Sequence, residues 1–80
     1  MGSPEALGAL EREELAQALS EALGAIDEKH REVFLLREVE GLSHREISKM
    51  LGVPEGTVWS RLSYARKMLR EHLIERGMTP

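Results

Sequence analysis

A glycine turn between two amphipathic segments constrains this chain more than any other feature. The segment from Leu42 to Leu51 stops at Gly52, and Val53-Pro54 opens a second segment that continues past Leu69. Glycine allows the positive φ angle of a sharp turn, and proline is favoured where a helix begins. Two helices joined so tightly are typical of a helix-turn-helix, a motif that lays its second helix in the major groove of DNA.

Local signals set the bounds of these two helices. Ser43 and Glu46 form a Ser-x-x-Glu capping box, which predicts a helix over His44–Leu51. The next helix should run from Pro54 to about Arg76. Small Ser48 is expected where the two helices approach most closely. The predicted inward residues are Ile47, Met50 and Leu51 on the first helix, and Val58, Leu62, Ala65, Leu69 and Leu73 on the second. A plug of Ile47, Leu51, Val53 and Val58 should fix the crossing angle.

The front half of the chain predicts two further helices. Ser3-Pro4 can begin the first, which should stop near Gly24. Its apolar stripe consists of Leu15, Ala18, Leu19, Ala22, Leu23 and Ile26. Asp27 can cap a second helix that reaches about Glu40, before Gly41. The apolar residues of that helix cover more than one stripe, which predicts that it is the central helix of the domain. They are Val33, Phe34, Leu35, Leu36 and Val39.

Eighty residues without a strand pattern predict one small all-α domain, a four-helix domain with a C-terminal helix-turn-helix. We expect a single domain over residues 1–80. Within it, residues 1–14 hold a lead-in and the start of the first helix, residues 15–76 form the helical domain, and residues 43–70 form the helix-turn-helix.

Composition excludes several classes of function. The chain has no cysteine, so disulfides and cysteine-ligated zinc are excluded. Its three histidines, His30, His44 and His72, lie on separate predicted helices without metal-site spacing, and we expect no metal or other cofactor. There is no nucleophile–base pair and no glycine-rich phosphate loop, which argues against an enzyme. Without a membrane-length apolar run or a leader pattern, we expect a cytoplasmic protein with no membrane partner.

Charge is distributed unevenly along the chain. The net charge of −3 is unusual for a DNA-binding protein. Residues 1–42, however, hold ten acidic and four basic side chains, a net of −6, whereas residues 43–72 hold six basic and three acidic ones, a net of +3. This asymmetry is expected if only the back half faces phosphate.

A helical wheel centred on Val58 separates an inward face from a solvent-facing one. The solvent-facing residues are Trp59, Ser60, Ser63, Arg66, Lys67 and Arg70. The N-terminal part of this helix would meet base edges, and its basic C-terminal part would meet phosphates. Thr57 and the free backbone N–H groups near Pro54 to Thr57 would add donors for a phosphate.

The same residues allow plainer interpretations. Helical hairpins that never contact DNA share this pattern, and basic residues near a helix C-terminus also satisfy the helix dipole. Trp59 could stack on DNA or a protein, or lie in the core. Tyr64 could donate to a phosphate or simply pack. Glu55 could accept from a cytosine amino group, or only be a first-turn carboxylate favoured by the dipole.

Six runs of residues carry a resemblance to a known family: residues 28–43, Glu46-Ile47, residues 51–58, Ser60-Arg61-Leu62, Ala65-Arg66-Lys67 and Leu69-Arg70. At these positions the chain resembles the fourth region of bacterial sigma factors, most closely the extracytoplasmic-function group. The resemblance covers about residues 15–70 and is most specific in the Gly-Thr-Val-x-Ser-Arg-Leu core, residues 56–62. LuxR-type regulators share the Gly-Leu-Ser and Thr-Val features but lack this continuation, and so rank second.

The resemblance implies a function and partners. Such a domain reads the upstream minus-thirty-five promoter element in double-stranded DNA, docks on the β-subunit flap of RNA polymerase, and is commonly held by an anti-sigma factor. The acidic front half would suit the polymerase contact. Nothing in the chain resembles the second region of the family. We therefore expect either a fragment of a sigma factor or a solitary protein, neither of which would start transcription alone.

By position in the family, the resemblance implies that the DNA-facing residues are Thr57, Ser60, Arg61, Ser63 and Tyr64, followed by Arg66, Lys67 and Arg70. The helical wheel adds Trp59 to this set. Arg61 lies on the flank of the wheel, where a phosphate or intrahelical role is as reasonable as a base contact. The family usually has Lys or Arg at the position of Trp59 and often Arg at that of Tyr64. Loss of both charges would weaken DNA binding. This leaves a second hypothesis, a protein-interaction module bound by polymerase or an anti-sigma regulator.

Overall fold

Four α-helices make up the part of the chain that the structure describes. The computed structural model describes the backbone of residues 4–78 and the side-chain burial of residue 8 and residues 11–78. The helices are α1 (Pro4–Ala25), α2 (Glu28–Glu38), α3 (His44–Leu51) and α4 (Glu55–Glu75). No strand occurs over residues 4–78, so the all-α fold class is confirmed. None of the described helices is long and apolar enough to cross a membrane.

The turn between α3 and α4 forms as its local sequence predicts. Ser43 Oγ accepts from the Glu46 N–H at 3.1 Å, and Glu46 Oε1 accepts from the Ser43 N–H at 3.0 Å, completing the capping box. Gly52 ends α3 with φ +68°, and its N–H donates to Ser48 O at 2.9 Å. The Ser48 hydroxyl donates to Val53 O at 2.5 Å, which ties the turn to the end of α3.

The junction of α1 and α2 differs in detail from the prediction. The expected cap at Ser3 lies outside the described residues, and α1 continues through Gly24 to Ala25. Asp27 precedes α2, but its side chain makes no capping hydrogen bond. Its carbonyl instead accepts from the His30 and Arg31 N–H groups. The Arg31 guanidinium donates to Leu23 O at 3.1 Å, which satisfies a carbonyl at the end of α1.

The core has two parts, and both include residues of α4. Ala22 of α1 and Ile26, the residue just after the end of α1, pack with Ala65 and Leu69, while a second cluster contains Val33, Ile47, Val58 and Leu62. The predicted plug is confirmed, because Leu51 and Val53 pack against this second cluster. The central helix, however, is α4 and not α2, since α4 alone packs extensively against each of the other three described helices. The prediction for α2 is therefore wrong.

Three residues assigned to inward faces are exposed. Leu15 is 50% exposed, whereas Ala18, one turn further along α1, is fully buried. Val39 is 69% exposed because α2 ends at Glu38, two residues earlier than predicted. Met50 is 61% exposed because the core-facing side of α3 carries Ile47 and Leu51.

Candidate nucleic-acid interface

The two sides of α4 have opposite exposure. Val58, Leu62 and Ala65 are fully buried, and Leu69 is nearly so. The solvent-facing set is exposed, as the wheel predicted: Trp59, Ser60, Ser63, Arg66, Lys67 and Arg70. Because one face is fixed in the core, the other is held rigidly toward solvent as a single surface.

More of the polar groups in the first turn of α4 are hydrogen-bonded within the chain than the sequence predicts. The Thr57 N–H donates to Pro54 O at 3.0 Å, so it is not the free donor that the sequence suggested. The Thr57 side chain is half-buried. Ser60 is exposed, and its hydroxyl donates to Thr57 O at 3.1 Å. The Ser60 oxygen therefore faces solvent with its lone pairs free to accept a hydrogen bond.

Trp59 stacks on His44, the first residue of α3. The two ring centroids are 3.9 Å apart and the ring planes are within 5° of parallel. Trp59 is 54% exposed, which rules out the interpretation of this residue as a core side chain. The remaining alternatives, a contact with DNA or with a protein, both require such an exposed ring.

Tyr64 has a similar neighbour one helix away. Its ring lies 4.4 Å from that of His30 on α2, tilted by 40°, and Tyr64 is 45% exposed. His30 Nδ1 is 3.7 Å from Asp27 Oδ2, an ion-pair distance if the imidazole is protonated. Tyr64 thus packs through one face and can still present its hydroxyl outward.

The C-terminal half of the exposed face is basic. Lys67 and Arg70 are exposed, and within the described residues neither has a carboxylate within 4.0 Å. Arg66 differs, because its guanidinium donates to Glu38 Oε1 at 2.7 Å. This hydrogen bond lowers the pKa of Glu38, with a smaller contribution from the nearby charges of Arg66 and Arg37. Arg61 is half-buried on the flank, where the wheel put it.

An open apolar groove of about 490 Å³ adjoins this basic half. Phe34 of α2 lies in its wall, and the half-exposed Leu15 and Ile74 lie at its edges. Arg66 and Arg70 also line it, so the groove and the basic face share two cations. The remaining lining residues are Leu69, Leu73 and Met78.

Sequence reasoning missed three residues that shape this face: His44, His30 and Glu38. Each acts through a contact between helices that are separate in the sequence. No periodicity or cap signals such a pair. For the two histidines a signal does exist at the positions they contact, because Tyr64 and Trp59 depart from the family pattern.

Comparison with known proteins decides between the families considered. The family described as sigma-70, region 4 matches residues 16–69. The chain belongs to this family. The match includes α2, α3 and most of α4, and therefore most of the exposed face described above. It supports the sigma-factor interpretation and not the LuxR-type alternative.

Individual relatives place this region 4 chain near the extracytoplasmic-function (ECF) group. It is 41% identical over 61 residues to the ECF RNA polymerase sigma factor SigE of Mycolicibacterium smegmatis, covering 76% of this chain and 24% of the relative. It is 41% identical to SigL of Mycobacterium tuberculosis, with 76% and 34% covered. It is 39% identical to the ECF sigma-E factor of Escherichia coli, with 71% and 30% covered. The chain thus spans about a quarter to a third of the length of these relatives.

Proposed function

We propose that this region 4 domain reads the upstream minus-thirty-five element of promoter DNA by placing α4 in the major groove. The observation that carries the proposal is that α4 has one buried apolar face and one exposed polar face. A buried stripe fixes the helix, while polar, aromatic and basic side chains share the opposite face. The helix-turn-helix that presents this face occupies residues 43–70.

The exposed face suggests a division of roles along α4. Thr57, Ser60 and Ser63 lie in the first half, where side chains of a second helix usually meet base edges. Arg66, Lys67 and Arg70 lie further along, where they would contact phosphates. Arg61, on the flank, suits a phosphate contact. Trp59 and Tyr64 complete the proposed interface.

The proposal predicts a binding preference that a competition experiment can measure. A labelled pool of duplexes with randomised upstream elements is bound at low salt and competed with bulk genomic DNA. We expect a subset of duplexes to survive competition. The control variant Arg76→Ala should retain the same subset of duplexes, because Arg76 pairs with Glu21 away from the proposed interface. If no duplex outcompetes bulk DNA, the chain does not read sequence and the proposal fails.

The apolar groove favours protein docking as a second activity. Leu15 and Ile74 would lose their exposed surface under an amphipathic segment, and the adjoining Arg66 and Arg70 suit acidic residues on it. We propose the β-subunit flap of RNA polymerase as the main occupant, with an anti-sigma regulator as its competitor. Both partners place the domain in the bacterial cytoplasm.

Copurification tests this second activity. Tagged domain should retain polymerase from bacterial extract after nuclease treatment, and Ile74→Glu should reduce that retention. Glu71→Lys, an exposed charge change on the same helix that does not line the groove, is the matched control. Retention that disappears with nuclease would mean that DNA, not the groove, holds the complex.

A further inference from the structure

Trp59 presents a fixed aromatic surface at the start of the exposed face. Its indole lies against the imidazole of His44, with centroids 3.9 Å apart and planes 5° apart, yet the residue keeps 54% of its surface exposed. A ring packed flat on one side has fewer accessible rotamers. The open side of the indole therefore keeps one orientation relative to the axis of α4.

The position of the stack matches the part of a helix-turn-helix that lies closest to DNA. Trp59 is on the second turn of α4, and His44 is the first residue of α3. In such motifs the early residues of the second helix meet base edges, while the first helix crosses the backbone. The exposed neighbours Ser60 and Ser63 are small and polar, so Trp59 is the bulky group at this place.

The chemistry of an indole limits what it can recognise. It carries one N–H donor and no charge, so it can neither neutralise a phosphate nor make the bidentate contact that selects guanine. Nearly all of its remaining surface is apolar. The apolar feature that base pairs display in the major groove is the thymine 5-methyl group.

We propose that Trp59 is a specificity-determining residue that selects thymine by contact with its 5-methyl group. His44 is a positioning residue that holds the indole for this contact. The inference rests on the proposed promoter reading and adds to it the chemical identity of one base.

Replacement of thymine by deoxyuridine tests the contact directly, because it removes the methyl group and keeps every hydrogen bond. In the preferred duplex, each thymine is replaced in turn and affinity is measured by fluorescence anisotropy. At one position we expect affinity to fall about fourfold, the effect of losing one buried methyl group. Trp59→Ala should abolish this difference. Lys67→Ala should weaken binding to the thymine duplex and to its deoxyuridine version by the same factor. The ratio of the two affinities should therefore not change, which makes this variant the matched control.

The role of His44 has its own readout. His44→Ala should shrink the thymine-to-deoxyuridine ratio while thermal unfolding still shows a cooperative fold, and His44→Phe should restore the ratio by restoring a flat ring. Trp59 is the chain's single tryptophan, so its fluorescence reports on the stack in each variant. An unchanged ratio in His44→Ala overturns the positioning role.

The outcomes separate this inference from the proposed function. If a preferred duplex exists but every deoxyuridine version binds equally well, methyl recognition is wrong and promoter reading stands. If the ratio persists in both Trp59→Ala and Trp59→Gln, another residue reads the methyl group and the inference is wrong. If no duplex is preferred, both proposals fail together.

Discussion

The guanidinium of Arg66 donates a hydrogen bond to Glu38 Oε1 at 2.7 Å and so joins the basic face of α4 to the last residue of α2. Both side chains are a little under half exposed. Arg66 holds the pKa of Glu38 below its ordinary value of 4.5, so the carboxylate is ionised at neutral pH. Glu38 therefore competes with any phosphate that approaches this arginine.

Removal of that competition should strengthen DNA binding. In Glu38→Gln the carboxylate charge is lost and Arg66 is free to contact phosphate. Exposed ion pairs are weak, so we expect affinity at low salt to rise only about twofold to fivefold. Anisotropy titrations would measure it. Glu32→Gln, which removes an exposed charge from the same helix, supplies the control. If both variants gain equally, the effect is one of net charge and not of the ion pair.

Arg66→Ala should weaken binding to all duplexes alike. A phosphate contact carries no base information, so preferred and bulk DNA should lose affinity by the same factor. The slope of log affinity against log salt should become shallower by about one unit. Titrations at several salt concentrations provide both numbers. A loss confined to the preferred duplex would instead assign Arg66 to base reading.

Two glycines near the turn should respond oppositely to alanine. Gly52 has φ +68°, so Gly52→Ala should cost about 1–2 kcal/mol of unfolding free energy through backbone strain alone. Gly56 lies in the first turn of α4, and an added Cβ would meet nothing within 4 Å apart from the adjacent backbone of the helix itself, so Gly56→Ala should stabilise the fold by about 0.5–1 kcal/mol. Urea unfolding measures both. Destabilisation by Gly56→Ala would contradict this account of the turn.

The capping box should contribute a pH dependence to stability. Hydrogen bonds from the Ser43 N–H and hydroxyl hold the pKa of Glu46 below its ordinary value of 4.5. Because the folded-state pKa is the lower one, this stabilisation is present above the unfolded-state pKa and is lost as pH falls through the folded-state pKa.

Glu46→Gln keeps an acceptor that cannot titrate, so it isolates that dependence. The stability gap between wild type and Glu46→Gln should be largest at neutral pH and should shrink as pH falls below 4.5. Urea unfolding across this range checks it, with Glu32→Gln as the baseline for loss of one charge. A gap that does not change with pH would mean that the ionised form is not favoured in the folded state.

Local signals predicted local structure well. The bounds of α3 are correct at both ends, because the Ser43–Glu46 box and the positive φ of Gly52 depend only on residues within one turn. The exposed face of α4 is also correct, since an α-helix has a fixed period and Val58 anchors the wheel. The sequence resemblance to the family is confirmed by the match over residues 16–69.

Relationships between helices were harder to predict. The apolar residues that favour α2 as the central helix include Val39. The helix ends at Glu38, however, and Val39 lies exposed beyond it. The pairs His44–Trp59 and Arg66–Glu38 depend on how the helices dock, which no single segment encodes. The DNA-binding roles of the exposed residues stay predictions.

The separation of the two faces of α4 has a consequence for how such domains diverge. Substitutions at Ser63 or Lys67 do not disturb the buried stripe that holds the helix, so the folding free energy barely constrains them. If the exposed face reads DNA as proposed, related chains can acquire different promoter preferences by changing a few exposed positions. Substitutions at Val58 or Leu62 would be selected against in every lineage, whatever DNA it reads.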